Sequence, residues 1–287
     1  AAFNGSEYLV TNAASEVYSP YALDFDSASS DYIDCGNDSS LQITGDLTLS
    51  AWVNIGISTH TMRFINKDNG SDRAWIMLVV AGKIRFTRFY TSTNFYFMDS
   101  SITINDSNWH HITCVNDSTG VAKIYIDGVE DTGATGTNTG SALFNASVNL
   151  KLGGDFTNQY LNGQLSNVSI WNAALTSPQV TEIYGSAAPT NLNNHSAYSN
   201  LVSWWQLGEN SSFDGANWTV LDEKGTNNGT SANMTEADLV NGVGTSANGL
   251  SSGMGGADNI IGEAPYSTAN AVSYGMGVDA LSTDVPS

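Results

Sequence analysis

The feature that most constrains the fold is the alternation of side chains in LTLSAWVNI, from Leu47 to Ile55. Successive side chains of a β-strand point to opposite faces, so every second residue from Leu47 onward places an apolar group on one face. The same alternation recurs, between clusters of Gly, Asn, Asp and Ser, in residues 82–90, 110–116, 122–128, 148–154 and 164–172. Several short strands separated by turn residues predict an all-β sandwich or barrel.

Two local signals add detail to this prediction. Residues 176–186, TSPQVTEIYGS, predict one short helix, because Ser177 is suited to cap its start and Gly185 to end it. The pair Asp127-Gly128 predicts a tight hairpin turn, because these residue types accept the positive φ angles that such a turn requires.

Charge excludes two classes of partner. Lys plus Arg total 9 against 28 Asp plus Glu, so the formal net charge is -19. Nucleic acids and anionic membrane surfaces attract proteins through basic residues, so we expect neither as a partner. No apolar run is long enough for membrane insertion, and the N-terminal AAFNGSEYLV lacks the basic and apolar parts of a secretion signal. We expect either a processed form or a chain not secreted by that route.

Composition divides the chain into four parts. Residues 1–20 form an N-terminal extension, and residues 21–186 carry the alternating strands. Residues 187–240 show little alternation apart from two segments, LVSWWQLGE, which begins at Leu201, and NWTVLDE, which begins at Asn217. From 241 to 287 Gly, Ser, Ala and Asn dominate, which predicts an extended arm that serves assembly or stays mobile.

Three segments together resemble a known family: residues 21–55, 108–128 and 161–184. The stretches YALDFD, NWHHITCVN and LNGQLSNVSIWN are similar to the laminin G-like, pentraxin-like branch of the concanavalin A-like lectin and glucanase superfamily. The resemblance implies a jelly roll of two antiparallel sheets, here with one short helix and an extended C-terminal arm. In that family a segment like LVSWWQLGE commonly precedes the ALDFD strand, whereas here it follows the predicted helix.

This permuted order raises the question of where Trp204 and Trp205 pack. The ends of a domain often lie close together, so we expect residues 201–207 to pair within the same sandwich, with the two indoles on opposite faces. Two alternatives stay open. The strand is donated to a neighbouring subunit, which makes Trp204 and Trp205 assembly residues of a homo-oligomer or polymer, or it is the stub of a second, truncated domain.

Catalysis is not expected. Retaining glucanases of the resembled superfamily carry two Glu flanking an Asp on one strand, and no E-x-D-x-E run occurs in this chain. His110 and His111 are adjacent, so on a strand they point to opposite faces and do not share a metal. Motifs of serine hydrolases, phosphate loops, zinc proteases and C-x-x-C proteins are also absent from the sequence.

Calcium is the predicted cofactor, because loops rich in carboxylate oxygens suit it. The loop DFDSASSD supplies Asp26 and Asp31, and Asp155 follows LKLGG where it could reach a neighbouring loop. Asp26 matches the Asp of the F-D-G turn in the resembled family, although Ser27 replaces the Gly. The competing interpretation is that these Asp residues only stabilise turns.

Aromatic residues predict a glycan-binding surface. The stretch RFYTSTNFYFM, residues 88–98, interleaves Tyr90 and Tyr96 with Asn94. Trp52 and Trp75 are predicted to line the same surface, since sugars stack on aromatic faces beside hydrogen-bonding side chains. The competing interpretation is that these rings bury one another under a loop or a partner subunit.

Two classes of function remain. The first is a non-catalytic structural or adhesive protein with a lectin-like domain, displayed on an extracellular or virion surface assembly as a decoration, fibre or homopolymer subunit. The second is a calcium-assisted lectin module that binds cell-surface glycans. The two cysteines, Cys35 and Cys114, are compatible with one disulfide or with two buried free thiols.

Overall fold

The computed structural model describes residues 19–137, 142–154 and 158–243. The described part contains one α-helix, α1 (Ser177–Tyr184), and many short strands. The strands are β1 (Tyr21–Phe25), β2 (Tyr32–Asp34), β3 (Leu47–Ile55), β4 (Met62–Asp68), β5 (Arg73–Val80), β6 (Lys83–Phe89), β7 (Phe95–Thr103), β8 (Trp109–Asn116), β9 (Ala122–Ile126), β10 (Val129–Glu130), β11 (Thr135–Gly136), β12 (Lys151–Leu152), β13 (Gly163–Trp171), β14 (Leu201–Trp205), β15 (Ser212–Phe213), β16 (Trp218–Val220), β17 (Gly229–Ala232) and β18 (Leu239–Asn241).

These strands form two antiparallel sheets. The eight-stranded sheet has the order β10-β9-β8-β3-β13-β1-β18, and β14 also pairs with β13. The ten-stranded sheet has the order β11-β7-β6-β5-β4-β12-β2-β17-β16-β15. The architecture is therefore the two-sheet antiparallel sandwich with one short helix that the sequence predicts.

The main core lies between the two sheets. One row of β3 side chains is fully buried there, as the alternation predicts: Leu47, Leu49, Ala51, Val53 and Ile55. Met77 and Phe86 of the ten-stranded sheet belong to the same cluster. Burying one such side chain stabilises the fold by roughly 1.5–3 kcal/mol relative to leaving it exposed, so this contact holds the sheets together.

The opposite face of β3 is also buried up to Trp52, contrary to the half-buried strand that its polar residues predict, and only Asn54 stays partly exposed. Thr48, Ser50 and Trp52 are each at most 2% exposed. Trp52 stacks on Tyr184 of α1, with ring centroids 5.6 Å apart, and the Thr48 hydroxyl donates to the Ala173 carbonyl at 2.7 Å. The chain around α1 therefore covers this face and satisfies its polar groups.

The cap of α1 differs by one residue from the prediction. Thr176, and not Ser177, is the N-cap residue, and its backbone N–H donates to Oε1 of Gln179 at 2.9 Å. This reciprocal capping satisfies donors that the first turn leaves unpaired. Val180 and Ile183 form the buried stripe, as expected for an amphipathic helix.

The predicted hairpin turn at Asp127-Gly128 is confirmed. Both residues have positive φ, 52° and 77°, and β10 returns antiparallel to β9 with Val129 opposite Ile126. A Cβ atom at Gly128 would lie 2.8 Å from Cδ1 of Tyr184, so the position requires glycine for space as well as conformation.

Strand β14 pairs within the same chain. Trp205 lies opposite Val168 of β13, and Trp204 lies opposite Ser169. Trp205 enters the core between the sheets and donates from Nε1 to the Asn227 carbonyl at 2.7 Å, whereas Trp204 joins the cluster beneath α1. The indoles thus lie on opposite faces. Trp205 is 0% exposed and Trp204 is 1% exposed, so both predicted assembly residues are buried within this single chain.

The two cysteines are free and buried, at 3% exposure for Cys35 and 0% for Cys114. Burial raises the pKa of both thiols, because an apolar environment disfavours the thiolate. The structure therefore contains the pair of free thiols and not the disulfide.

The ends of the described chain meet at the edge of the eight-stranded sheet. Tyr21 pairs with Asn241, and the N–H of Gly242 donates to the Pro20 carbonyl at 2.7 Å. The first residues of the predicted arm therefore belong to this edge, and the rest of the arm lies outside the described residues, as do residues 1–18 of the N-terminal extension. Within the described ranges, α1 is too short to cross a bilayer.

Candidate functional site

The aromatic stretch that the sequence suggests for glycan binding is a β-hairpin, formed by β6, a tight turn and β7. The backbone N–H of Tyr90 donates to the Asn94 carbonyl at 2.9 Å, and Oγ1 of Thr91 accepts from the Asn94 N–H at 2.9 Å. These bonds close the turn locally. We call residues 89–97 the aromatic hairpin.

The aromatic hairpin presents rings on both faces. Phe95 packs on the buried Phe89, with centroids 5.3 Å apart, and Tyr96 packs on Tyr90 at 5.1 Å. Phe95, Tyr96 and Phe97 nevertheless remain 46%, 37% and 36% exposed. Large aromatic groups clustered on a surface commonly mark a contact site for a ligand or partner.

Charged side chains lie beside these rings. Arg85 of β6 donates from Nε and Nη2 to both carboxylate oxygens of Asp99 on β7, at 2.6 and 2.7 Å. The guanidinium carbon of Arg85 lies 4.2 Å from the centroid of Phe97. The Arg85 guanidinium therefore covers one face of the Phe97 ring, and the paired charges lie beside the exposed rings of the hairpin. The sequence prediction missed Arg85 and Asp99, because they meet only through the strand register.

A buried arginine fixes the base of the aromatic hairpin. Arg88 is 0% exposed and donates to the Asn116 side chain at 3.0 Å and to the carbonyls of Gly120 and Thr137 at 2.8 and 2.7 Å. Hydrogen bonds from a buried charged group are stronger than neutral ones. Arg88 therefore ties β6 to three other segments and limits movement of the hairpin.

The predicted glycan-binding residues divide into two groups. Tyr90, Asn94 and Tyr96 lie together on the aromatic hairpin, with Asn94 exposed at its turn. Trp52 and Trp75 are 2% and 0% exposed, so the prediction that they line the same surface is wrong. Trp52 lies under α1 and Trp75 lies in the core, because both faces of their strands are covered.

Two of the three predicted calcium ligands, Asp26 and Asp31, lie in the loop between β1 and β2. Asp26 is exposed and accepts from the Ala28 N–H at 2.8 Å and the Ser29 hydroxyl at 3.1 Å. Asp31 is 2% exposed; its Oδ2 accepts from the Asp26 N–H at 2.8 Å, and its Oδ1 is buried without a hydrogen-bond partner. Burial raises the pKa of Asp31, opposed by that backbone hydrogen bond. Asp155 lies outside the described residues.

These residues fit a calcium site only in part. A buried carboxylate oxygen without a donor, Asp31 Oδ1, suits a cation. Calcium, however, takes 6–8 oxygen ligands. In the ranges that the structure describes, no three His, Cys, Asp or Glu side chains converge as a metal site would require.

His110 and His111 are adjacent on β8, so their side chains point to opposite faces of the strand. Their environments differ accordingly. His111 is 0% exposed, its Nε2 lies 2.7 Å from Oγ of Ser50, and burial lowers its pKa to about 3. Hydrogen bonds to Asp127 and Asp106, at 2.8 and 3.2 Å, raise the pKa of His110. Ser50 is also 0% exposed, so a substrate cannot reach the Ser50–His111 pair.

The fold is that of a lectin-like β-sandwich. Residues 26–181, more than half of the chain, match the laminin G family model described as concanavalin A-like lectin/glucanases superfamily. The chain belongs to this laminin G-like family of the concanavalin A-like superfamily.

Individual relatives match more distantly. A Mus musculus protein, "Sushi, von Willebrand factor type A, EGF and pentraxin domain-containing protein 1", is 33% identical over 110 residues. The match covers 35% of this chain and 3% of that protein, so the chain spans a small fraction of its relative.

The chain is also similar to two solved structures. A putative carbohydrate binding protein from Bacteroides ovatus has a TM-score of 0.59 at 16% identity, over 78% of this chain and 60% of that one. A heptameric SAP-like pentraxin from Limulus polyphemus has a TM-score of 0.46 at 14% identity, over 78% and 95%. The chain thus spans less than two thirds of the Bacteroides protein.

Proposed function

We propose that this protein is a non-catalytic, extracellular carbohydrate-binding module that contacts glycans through the aromatic hairpin. One observation carries the proposal: Phe95 and Phe97 stay exposed on the same face as the fixed Arg85–Asp99 pair. The carbohydrate-binding description of the Bacteroides relative agrees with it.

The physical argument is pre-organisation. Two rings on the hairpin pack on rings beneath them, and Arg88 holds the base of the hairpin. A sugar that stacks there needs little ordering of the protein, so more of the contact energy remains as affinity. The net charge of -19 disfavours anionic glycans by repulsion, so neutral glycans are the expected ligands.

A glycan array tests the proposal. Wild-type protein should bind a subset of neutral glycans, and the double variant Tyr96→Ala/Phe97→Ala should give a clearly weaker signal on those glycans. Thr219→Ala, an exposed position on β16 at the far side of the same sheet, is the matched control and should bind as wild type does. Equal binding by the wild type and the hairpin variant would count against the hairpin as the site.

Calcium is proposed as an accessory ligand at the Asp26–Asp31 loop, supported by the unpartnered Oδ1 of Asp31. Calorimetric titration with calcium chloride tests it, with Asp31→Asn as the variant that should weaken binding. A wild-type protein that takes up no calcium would remove this part of the proposal.

An adhesive subunit of an extracellular or virion surface assembly is the second candidate. Its support is the exposed apolar edge around β7, where Phe95 and Ile102 are 46% and 47% exposed. Light scattering on the full chain tests it. A concentration-dependent oligomer that Ile102→Ser reduces would favour this role, whereas a monomer at all concentrations would contradict it.

A further inference from the structure

A second surface combines an aromatic ring with hydrogen-bonding side chains, and it lies on the other sheet. Asn54 of β3 pairs with Trp109 of β8 on one side and with Gln164 of β13 on the other. Gln164 in turn pairs with Asp24 of β1. We call these four residues the outer row.

The outer row faces away from the core. On β1 and β3 the adjacent positions are buried in the core: Leu23 and Phe25 flank Asp24, and Val53 and Ile55 flank Asn54. Gln164 and Trp109 are the register partners of Asn54 and therefore lie on the same face. All four outer-row residues are partly exposed. Because neighbouring strands lie about 4.8 Å apart, the row extends over roughly 14 Å, a length that suits two or three pyranose rings.

The outer row ends in a groove of about 420 Å³. Asn54, Gln164 and Asp24 line this groove together with the exposed Asn162 and Asp26. Its volume falls in the range of small-molecule sites, about 300–1,000 Å³. Amide and carboxylate groups supply both donors and acceptors, which is what neighbouring sugar hydroxyls need.

Charge restricts the class of sugar. Neither Asp24 nor Asp26 forms an ion pair with a basic residue in the described part of the chain. Burial raises the pKa of Asp24, and a hydrogen bond with Gln164 opposes this shift. Carboxylates without basic partners repel uronic acids and sulfated or sialylated sugars.

We propose that the outer row and its groove form a second glycan-binding site, specific for uncharged pyranose sugars. Trp109 stacks against the apolar side of one ring, and Asn54, Gln164 and Asp24 bond to hydroxyls of the next. The aromatic hairpin and the outer row belong to different sheets, so one protein chain can bind two glycan molecules at once. This inference shares its ligand class with the proposed function but not its surface.

Calorimetry separates the two sites. The probes are neutral tetrasaccharides of glucose, mannose, xylose and galactose, with tetragalacturonic acid as the anionic comparison. The proteins are wild type, the groove variant Asn54→Ala/Gln164→Ala, the hairpin variant Tyr96→Ala/Phe97→Ala, and the combination. A melting curve of each variant confirms that it is folded before titration.

We expect two sites per chain in the wild type for at least one neutral probe, and one site in the hairpin variant. Removing two side-chain hydrogen bonds should then weaken the remaining site about tenfold or more. Tetragalacturonic acid should not bind. Binding by the hairpin variant that survives Asn54→Ala/Gln164→Ala unchanged would overturn the second site.

The remaining outcomes also decide between the proposals. Binding abolished by the groove variant and unaffected by the hairpin variant supports the outer row and contradicts the hairpin. Loss of all binding in the hairpin variant supports the hairpin and contradicts the outer row. A wild type that binds none of the neutral probes contradicts both.

Discussion

The guanidinium of Arg85 lies 4.2 Å from the ring centroid of Phe97, and both carboxylate oxygens of Asp99 hold it there. The ion pair is about 30% and 26% exposed on its two side chains. Partly exposed pairs of this kind contribute little to folding, typically about 0–1 kcal/mol. The proposed function therefore assigns this pair a role in ligand contact and little role in stability.

Replacement of Asp99 by Ala should accordingly separate binding from folding. We expect a small change in melting temperature and a clear loss of affinity for neutral glycans, measured by calorimetry. Glu130→Ala, which breaks the Lys123–Glu130 pair of the other sheet, is the control and should leave affinity unchanged. A large loss of stability with unchanged affinity would argue that the pair is structural.

Trp205 should be essential for the fold. Its side chain is 0% exposed, fills the core between the sheets and donates to the Asn227 carbonyl. Trp205→Ala should lower the free energy of unfolding by about 3–5 kcal/mol in chemical denaturation. Thr219→Ala, an exposed position, should stay within about 0.5 kcal/mol of wild type. A mild effect of Trp205→Ala would contradict the packing of β14 in the same chain.

His111 should make the fold sensitive to acid. Because burial lowers its pKa to about 3, the unfolded chain binds an extra proton once pH falls below the ordinary histidine pKa of about 6.5. Stability should therefore decrease as pH falls from about 6.5 towards 3, and His111→Asn should flatten this slope between pH 6.5 and 5. Urea denaturation across this range measures both slopes, and parallel slopes would contradict the assignment.

His110 should make the stability of the fold depend on pH in the opposite direction to His111. Its pKa is raised by hydrogen bonds to Asp127 and Asp106, so the folded state keeps a proton that the unfolded chain releases. Its contribution is complete below about pH 6.5 and is lost as pH rises through the raised value. His110→Asn should remove this loss above pH 6.5. Denaturation at pH 6 and pH 8 is the measurement, and an unchanged difference between the two would refute the prediction.

The free thiols should be inert in the folded protein. Cys35 and Cys114 are buried and their pKa values are raised, so neither presents a reactive thiolate. A thiol reagent should label neither cysteine in native conditions and both in denaturant. Reductant should leave the melting temperature unchanged, whereas a decrease would indicate a disulfide.

The sequence predicted elements whose pattern is local. β3 was predictable because its apolar residues alternate, and the Asp127-Gly128 turn because its φ angles demand those residue types. β5, RAWIMLVV, is an apolar run buried almost throughout, so it lacks the alternation that marks a half-exposed strand. The alternation of β3 located Trp52 on its outer face but did not show that α1 covers it.

The candidate sites depend on register, which the sequence does not state. Arg85 and Asp99 are cross-strand partners, and so are Asn54 and Gln164. Pairs like these become neighbours only when the strands align, and a shift of one residue would turn them to the other face. The aromatic residues of 88–98 and Asn94 were predicted from the sequence, but the Arg85–Asp99 pair was not.

The most direct test of glycan contact at the aromatic hairpin is hydrogen exchange with a bound neutral oligosaccharide. Backbone amides of residues 89–99 should exchange more slowly in the presence of the sugar, and the protection should vanish in Tyr96→Ala/Phe97→Ala. Saturating binding without any added protection in residues 89–99 would contradict the account.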